Sequence, residues 1–124
     1  MHHSRFAGLI IDCQTDNLNA AADFWSAAPG YPRKETDNVQ LYASLSAPDN
    51  EPYVEVQKVA HASRVHIDIE ADDIDAEAAR LETHGARKIE RIKDWWVMEA
   101  PTGQRFCVVP PVSKHFDATA NQWD

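Results

Sequence analysis

Residues 11–34 read IDCQTDNLNAAADFWSAAPGYPRK, and residues 67–88 read IDIEADDIDAEAARLETHGARK. Laid over one another, Asp12, Asp16, Asn17, Leu18 and Ala20 match Asp68, Asp72, Asp73, Ile74 and Ala76 at an offset of 56 positions. Gly30 and Arg33 then match Gly85 and Lys88 at an offset of 55, so one residue has been lost along the way. Two copies at so long a period do not make a solenoid, which needs about three stacked repeats or more. The pattern is that of one small unit duplicated and paired with itself. Two half-domains that face each other enclose a cleft, and clefts are where small molecules bind.

Outward from the repeat, the local signals are consistent. RFAGLIIDCQ, residues 5–14, is apolar and β-branched and reads as a strand. Asp16 stands where a helix N-cap is wanted, and Leu18, Ala21, Ala22, Trp25 and Ala28 then mark one helix face. Pro29-Gly30 ends that helix. Three short strands are predicted next: residues 33–36, QLYASLS at 40–46 and PYVEVQKV at 52–59, with APDNEP as the turn between the last two. The second copy repeats the order. VHIDIE (65–70) is a strand, and Asp72 or Asp73 caps a helix with Ile74, Ala78 and Leu81 on one face. Gly85 closes that helix, and RKIERI (87–92), WWVMEA (95–100) and RFCVV (105–109) follow as strands. The expected organisation is one domain over 1–124, with βαβββ modules at about 5–60 and 63–111 and a tail at 112–124 without clear period. In that tail Phe116 and Trp123 are candidate surface anchors, although a frayed terminus fits the composition equally well.

Composition narrows the partners. Apolar residues at 44% and charged residues at 26% are ordinary for a globular domain. A net charge of −8 argues against nucleic acid, because little here would neutralise phosphates. It suits a cationic ligand mildly, and acidic surfaces also serve plain solubility. No apolar run approaches the roughly 18 residues of a membrane span. The start, MHHSRFAGLIID, lacks a signal-peptide pattern, so a cytoplasmic location and no membrane partner are expected. Cys13 and Cys107 form neither a disulfide framework nor a metal-like spacing. His2 and His3 also occur in added tags and are set aside from the site.

Strand alternation assigns faces. Val65, Ile67 and Ile69 should turn to the helices, and His66, Asp68 and Glu70 away from them. By the repeat, Ile10, Asp12 and Gln14 share the second face. Val54 and Val56 likewise oppose Tyr53, Glu55 and Gln57, and Phe106 and Val108 oppose Arg105, Cys107 and Val109. A half-covered antiparallel sheet often has a merely wet polar face. The duplication argues for more here, since two such faces curled toward each other enclose a volume. Trp95 and Trp96 are adjacent on a strand, so one of them lines that volume, and parity alone does not say which. Tyr42 and Tyr53 are further wall candidates. Aromatic walls with acidic groups suit a flat or cationic ligand.

Taken in order, VHIDIEADDIDAEAARLETHGARKI with WWVMEAPTGQRFCVVPP resembles the second half of the vicinal oxygen chelate superfamily, the glyoxalase, bleomycin-resistance and extradiol-dioxygenase group. LIIDCQTDNLNAAADFWSAAPGYP resembles its first half, and the likeness covers nearly the whole chain, about 6–111. Asp12-Cys13 in the first strand and Phe24-Trp25 in the first helix resemble the glyoxalase-like subgroup. The resemblance implies an α+β fold: paired βαβββ modules, curved and mostly antiparallel sheets forming a cleft, with helices outside.

It also implies, in the metal enzymes of the superfamily, a divalent cation held by one His or Glu from each of four strands. Position by position, His66 matches. The first-strand position falls near Leu9 or Ile10, which bind no metal. The last strand of the first half offers Glu55 or Gln57, and the last strand of the chain offers Cys107. The turn before it, Ala100-Pro101-Thr102-Gly103-Gln104, departs from the family pattern. The expectation is therefore a homodimeric, metal-independent and cofactor-free protein that binds a small organic molecule. Its contacts are Asp12, Glu55, Gln57, His66, Asp68, Trp95, Trp96 and Cys107. Two alternatives stay open: a divalent-metal lyase, isomerase or dioxygenase using His66 and Glu55, and a metal-free enzyme using Asp12, Asp68 or His66 as acid or base.

Overall fold

A computed structural model describes residues 1–35 and 41–124. Its elements, in order, are β1 (His2–Gln14), α1 (Leu18–Ala27), β2 (Tyr42–Leu45), β3 (Tyr53–Val59), β4 (Arg64–Ala71) and α2 (Ile74–Thr83). They continue with β5 (Arg87–Ile92), β6 (Trp95–Glu99), β7 (Arg105–Val109), α3 (Phe116–Thr119) and β8 (Asn121–Trp123). The class is α+β. The strands form a mixed sheet in the order β2-β3-β1-β4-β7-β6-β5, with β8 beside β1. The β1/β3 and β4/β7 pairs are parallel, and β2/β3, β5/β6, β6/β7 and β1/β8 are antiparallel. Each parallel pair brackets a helical crossover, as parallel neighbours require. Among the described residues no helix is long and apolar enough to cross a membrane.

The chain packs as two compact units, Gly8–His66 and Met1–Ala7 with Ile67–Asp124. In the first, Leu18 and Ala22 of α1 pack on Ala43, Leu45 and Val56, with Cys13, Trp25 and Val54 around them. In the second, Ala78 of α2 packs with Ala71, Met98, Phe106 and Val108, flanked by Ile69, Ile74 and Leu81. These are the helix faces and strand positions that periodicity predicts, except at three places.

The first helix is capped by Asn17 rather than Asp16. Its side chain accepts from Ala20 N at 3.0 Å, and Asp73 does the same for Ala76 N at 3.0 Å in the second helix. A cap must immediately precede the first helical residue to reach the third amide, and the repeat places Asn17 and Asp73 at that point. Gly30 (φ 77°) and Gly85 (φ 99°) close the helices in the left-handed conformation.

Second, Val65 and Ile67 do not turn into a helix-covered core. They are 57% and 38% exposed, and only Ile69 of that set packs under α2. The helix rests on β5, β6 and β7, so strand alternation assigns a side but not a cover.

Third, the termini are structured. The first strand starts at His2, ahead of the expected Arg5, and His2–Ser4 pair with Asn121–Trp123. His2 Nε2 meets buried Glu77 at 2.8 Å, and His3 Nδ1 meets Asp72 at 2.8 Å, so both histidines belong to the fold. Phe116 is buried, and Trp123 donates to Ser4 Oγ while the Arg80 guanidinium lies over its ring. Glu70, expected on the polar face, is fully buried and accepts from Val112 N and Ser113 N of the tail. Of the strand expected at 33–36, Arg33 forms a bridge to Leu45. Thr36, like Gln40 at the start of the next expected strand, lies outside the described residues.

Candidate functional site

In the Gly8–His66 unit the register lays out two rows of polar side chains. Parallel pairing sets Asp12 beside Gln57 and Ile10 beside Glu55. Antiparallel pairing sets Tyr42 beside Gln57 and Ser44 beside Glu55. Residues side by side in register point to the same face, so one row is Tyr42–Gln57–Asp12 and the next Ser44–Glu55–Ile10. Gln57 Nε2 donates to Tyr42 OH at 3.3 Å, and Ser44 Oγ donates to Glu55 at 3.2 Å. Val54, Val56 and Cys13 take the other face and pack with α1.

Asp12 is the centre of the first row. It is 2% exposed. Its Oδ2 accepts from His66 Nδ1 at 2.7 Å, and Arg64 Nε stands 3.8 Å away. Its Oδ1 is buried and has no hydrogen-bond partner among the described residues. The bond from Nδ1 fixes the His66 tautomer and ring orientation. Cys13, next in the strand, has its thiol pushed up, first by burial and then by the Asp12 carboxylate, against a lowering contact from Trp25. A thiol held protonated is a poor nucleophile.

A further row begins at Gly8, which pairs with Tyr53. A Cβ at Gly8 would fall 2.3 Å from two carbons of the Tyr53 ring. The ring therefore lies against the bare backbone of β1, beside the Glu55 and Gln57 positions.

In the other unit Asp68 is buried and stands opposite Cys107 in the β4/β7 register, with Val97 beyond Cys107. Trp95 shares the side of Val97. Trp96 takes the opposite one: it packs with the Met98 and Val108 core, and its indole donates to Asp75 Oδ1 of α2 at 2.8 Å. Lys88 and Arg91 also lie near its ring. That Trp96 contact is the first cause of a lowered Asp75 pKa; burial opposes it, and the charge of Arg91 adds to it. Of the residues expected to bind ligand, Asp12, Gln57 and His66 are brought together, with Glu55 in the adjoining row. Asp68 and Cys107 face each other, and Trp96 is turned onto its helix.

Arg64, Ser44 and the Gly8–Tyr53 contact were not legible as site features. Arg64 lies two residues before His66, which alternation could have flagged. A glycine inside a strand could have flagged the close approach of another group.

The four-strand His/Glu set implied for metal enzymes is not reproduced. Its first-strand position is buried Ile10, Glu55 is held by Ser44, and a thiol, Cys107, stands where a carboxylate is expected. No step is therefore routed through a metal.

The mixed sheet, the two helical crossovers and the polar strand faces define the α+β fold of the vicinal oxygen chelate superfamily. The glyoxalase-like domain family matches residues 8–109, and the chain belongs to that family. No curated protein matches the sequence. Among solved structures, methylmalonyl-CoA epimerase in complex with methylmalonyl-CoA and NH4+ is similar over 90% of this chain and 98% of its own, at 17% identity and a TM-score of 0.57. Methylmalonyl-CoA epimerase from Mycobacterium tuberculosis is similar over 88% and 89%, at 14% identity and a TM-score of 0.62. A hypothetical protein from Bacillus halodurans is similar over 98% of both chains, at 10% identity and a TM-score of 0.65. At such identities the likeness is one of fold.

Proposed function

We propose that this protein binds a small organic molecule on the polar strand face of the Gly8–His66 unit, without a divalent metal, and works as a homodimer. The observation that carries the reading is Asp12: a buried carboxylate with one oxygen on His66 and the other without a partner among the described residues. An unsatisfied buried polar atom costs about 1–3 kcal/mol, and a donor on a bound ligand recovers that cost. Asp12, Glu55, Gln57 and His66 are the proposed contacts in this unit. Asp68, Cys107 and Trp95 are the candidates on the polar face of the other. Methylmalonyl-CoA epimerase carrying methylmalonyl-CoA on a similar fold supports a small-molecule role.

The test is a thermal-shift screen against metabolites and antibiotics. A ligand at 100 times its Kd adds about 2.7 kcal/mol, a shift of several degrees. At least one compound should stabilise the native protein, and the Gln57→Ala variant should lose most of that shift. A screen in which nothing stabilises the protein, or in which the shift survives both Gln57→Ala and Asp12→Asn, would sink the reading. Elemental analysis of protein purified without chelator decides the metal. His, Asp and Cys on β4 and β7 are ligand types that zinc accepts. One equivalent of Zn, Ni, Mn or Fe that is lost on His66→Ala would replace the metal-free reading.

The Asp12–His66 pair favours one second reading, a metal-free acid–base enzyme. A carboxylate on Nδ1 leaves proton transfer to Nε2. Turnover of a screened ligand that is abolished by His66→Gln, with binding kept, would establish it. Binding without turnover would leave the first reading.

A further inference from the structure

Arg64 differs from every other arginine of the chain. Arg5, Arg33, Arg80, Arg87, Arg91 and Arg105 each donate a hydrogen bond to a carboxylate. The Arg64 guanidinium donates none among the described residues. Its ion-pair partner is Asp12, and at 3.8 Å from Nε to Oδ2 the two are beyond a hydrogen bond. The backbone that carries Arg64 is tied down. Gln14 N donates to Ser63 Oγ at 2.9 Å, and Gln14 Nε2 donates to Ala60 O at 2.8 Å. Arg64 opens β4, and His66, two residues on, shares its side of the strand. His66 Nδ1 takes Asp12 Oδ2 at 2.7 Å, while Oδ1 is buried without a partner among the described residues. A guanidinium with N–H groups to give and a carboxylate oxygen with no donor therefore lie side by side. The Arg64 side chain is 46% exposed and that of Asp12 2%, so Arg64 is the side that moves when a ligand enters between them.

A ligand that carries one charge satisfies only half of this pair. An anion on Arg64 faces the Asp12 carboxylate and leaves Oδ1 without a donor. A cation on Asp12 faces the guanidinium and leaves its N–H groups unused. A ligand with both charges on one carbon satisfies both. Its carboxylate matches the planar fork of the guanidinium, and its ammonium gives Oδ1 a charge-assisted hydrogen bond, stronger than a neutral one. We propose that Arg64 and Asp12 together receive the zwitterionic end of an α-amino acid, carboxylate on Arg64 and ammonium on Asp12 Oδ1. The proposal rests on the small-molecule reading above and names the ligand chemistry of the same site.

The probes are L-alanine, L-leucine and L-phenylalanine. Each is compared with the acid that lacks its amino group and with the amine that lacks its carboxylate. Binding is followed by protein-observed NMR on the full chain. At least one amino acid should bind with a Kd on the order of 1 mM and about tenfold or more tighter than its acid or its amine, a difference of about 1.4 kcal/mol. It should shift the Arg64 Nε–H resonance and the Asp12 and His66 amides before others. Arg64→Gln should weaken the amino acid about tenfold and leave the amine unchanged. Arg64→Lys, which keeps the charge without the fork, should recover part of that loss. Asp12→Asn should give the mirror image: a weaker amino acid, with the acid unchanged. Because Asp12 is buried, the half-exposed Arg64 carries the test if Asp12→Asn does not fold.

An acid or amine that binds as tightly as its amino acid would overturn the proposal. So would an Arg64→Gln variant that weakens the amine as much as the amino acid, since that marks a merely structural arginine. No saturable shift with any of the three amino acids would overturn it as well. If the screen described above yields ligands that depend on Gln57 but bind equally well to Arg64→Gln, the binding reading stands and the amino-acid assignment falls.

Discussion

Gly8→Ala is the sharpest test of how the site is built. Gly8 lies in extended backbone within β1 and is absent from the positive-φ glycines, so alanine meets no backbone strain there. What it meets is Tyr53. The new methyl would sit 2.3 Å from Cδ1 and Cε1 and 2.7 Å from Cγ of the ring. Ordinary carbon contacts begin near 3.5 Å, so the ring must move by roughly 1 Å or leave its place. Overpacking of this kind costs about 1–3 kcal/mol. Removing a glycine from a strand returns roughly 0.5–1 kcal/mol through the unfolded chain. The net expectation is a loss of about 1–2 kcal/mol, or several degrees in Tm for a chain of this size.

The discriminating assay is a double-mutant cycle by thermal or urea unfolding. Tyr53→Ala alone is destabilising because it removes a ring that rests on the strand. In that background the methyl has nothing to strike, so Gly8→Ala should become neutral or stabilising. The coupling between the two sites should then be about 1.5–3 kcal/mol, well outside the error of additivity. An unchanged cost of Gly8→Ala in the Tyr53→Ala background would refute the packing argument, and with it the placement of Tyr53 beside the proposed ligand face.

Two further outcomes are expected. Burial by itself would raise the Glu77 pKa, but hydrogen bonds from Arg80, His2 and Ser4 outweigh it and hold the pKa below the usual glutamate value. A depressed carboxylate stabilises the fold above its unfolded pKa, and that stability is lost as pH falls through the folded value. Stability should therefore drop below about pH 4.3, the unperturbed glutamate pKa. Glu77→Gln should flatten that part of the curve in acid-titrated denaturation; an unchanged acid limb would count against the cluster. For assembly, light scattering in moderate salt should give twice the 14.0 kDa chain mass. Of the two tail aromatics, Phe116 is buried within its own chain and Trp123 is held by Arg80 and Ser4. A mass of one chain would refute the dimer.

The sequence by itself determined the elements and the kinship. The duplicated stretch around Asp12 and Asp68 marks both helices, their glycine ends and the strands after them, because caps, turns and periodicity are local. Alternation also separated Val54 and Val56 from Glu55 and Gln57, since parity needs only the strand. The tertiary structure decided what depends on partners distant in the chain. Parallel β1/β3 register, with no hairpin to set it, put Gln57 beside Asp12. The position of α2 decided that Trp96 turns to the helix, while Val65 and Ile67 stay exposed. Pairing of the two chain ends made a strand of His2 and His3. The Asp12–His66 bond joins residues whose sequence separation carries no local signal; only the folded sheet brings an imidazole within 2.7 Å of a carboxylate that the core has removed from water.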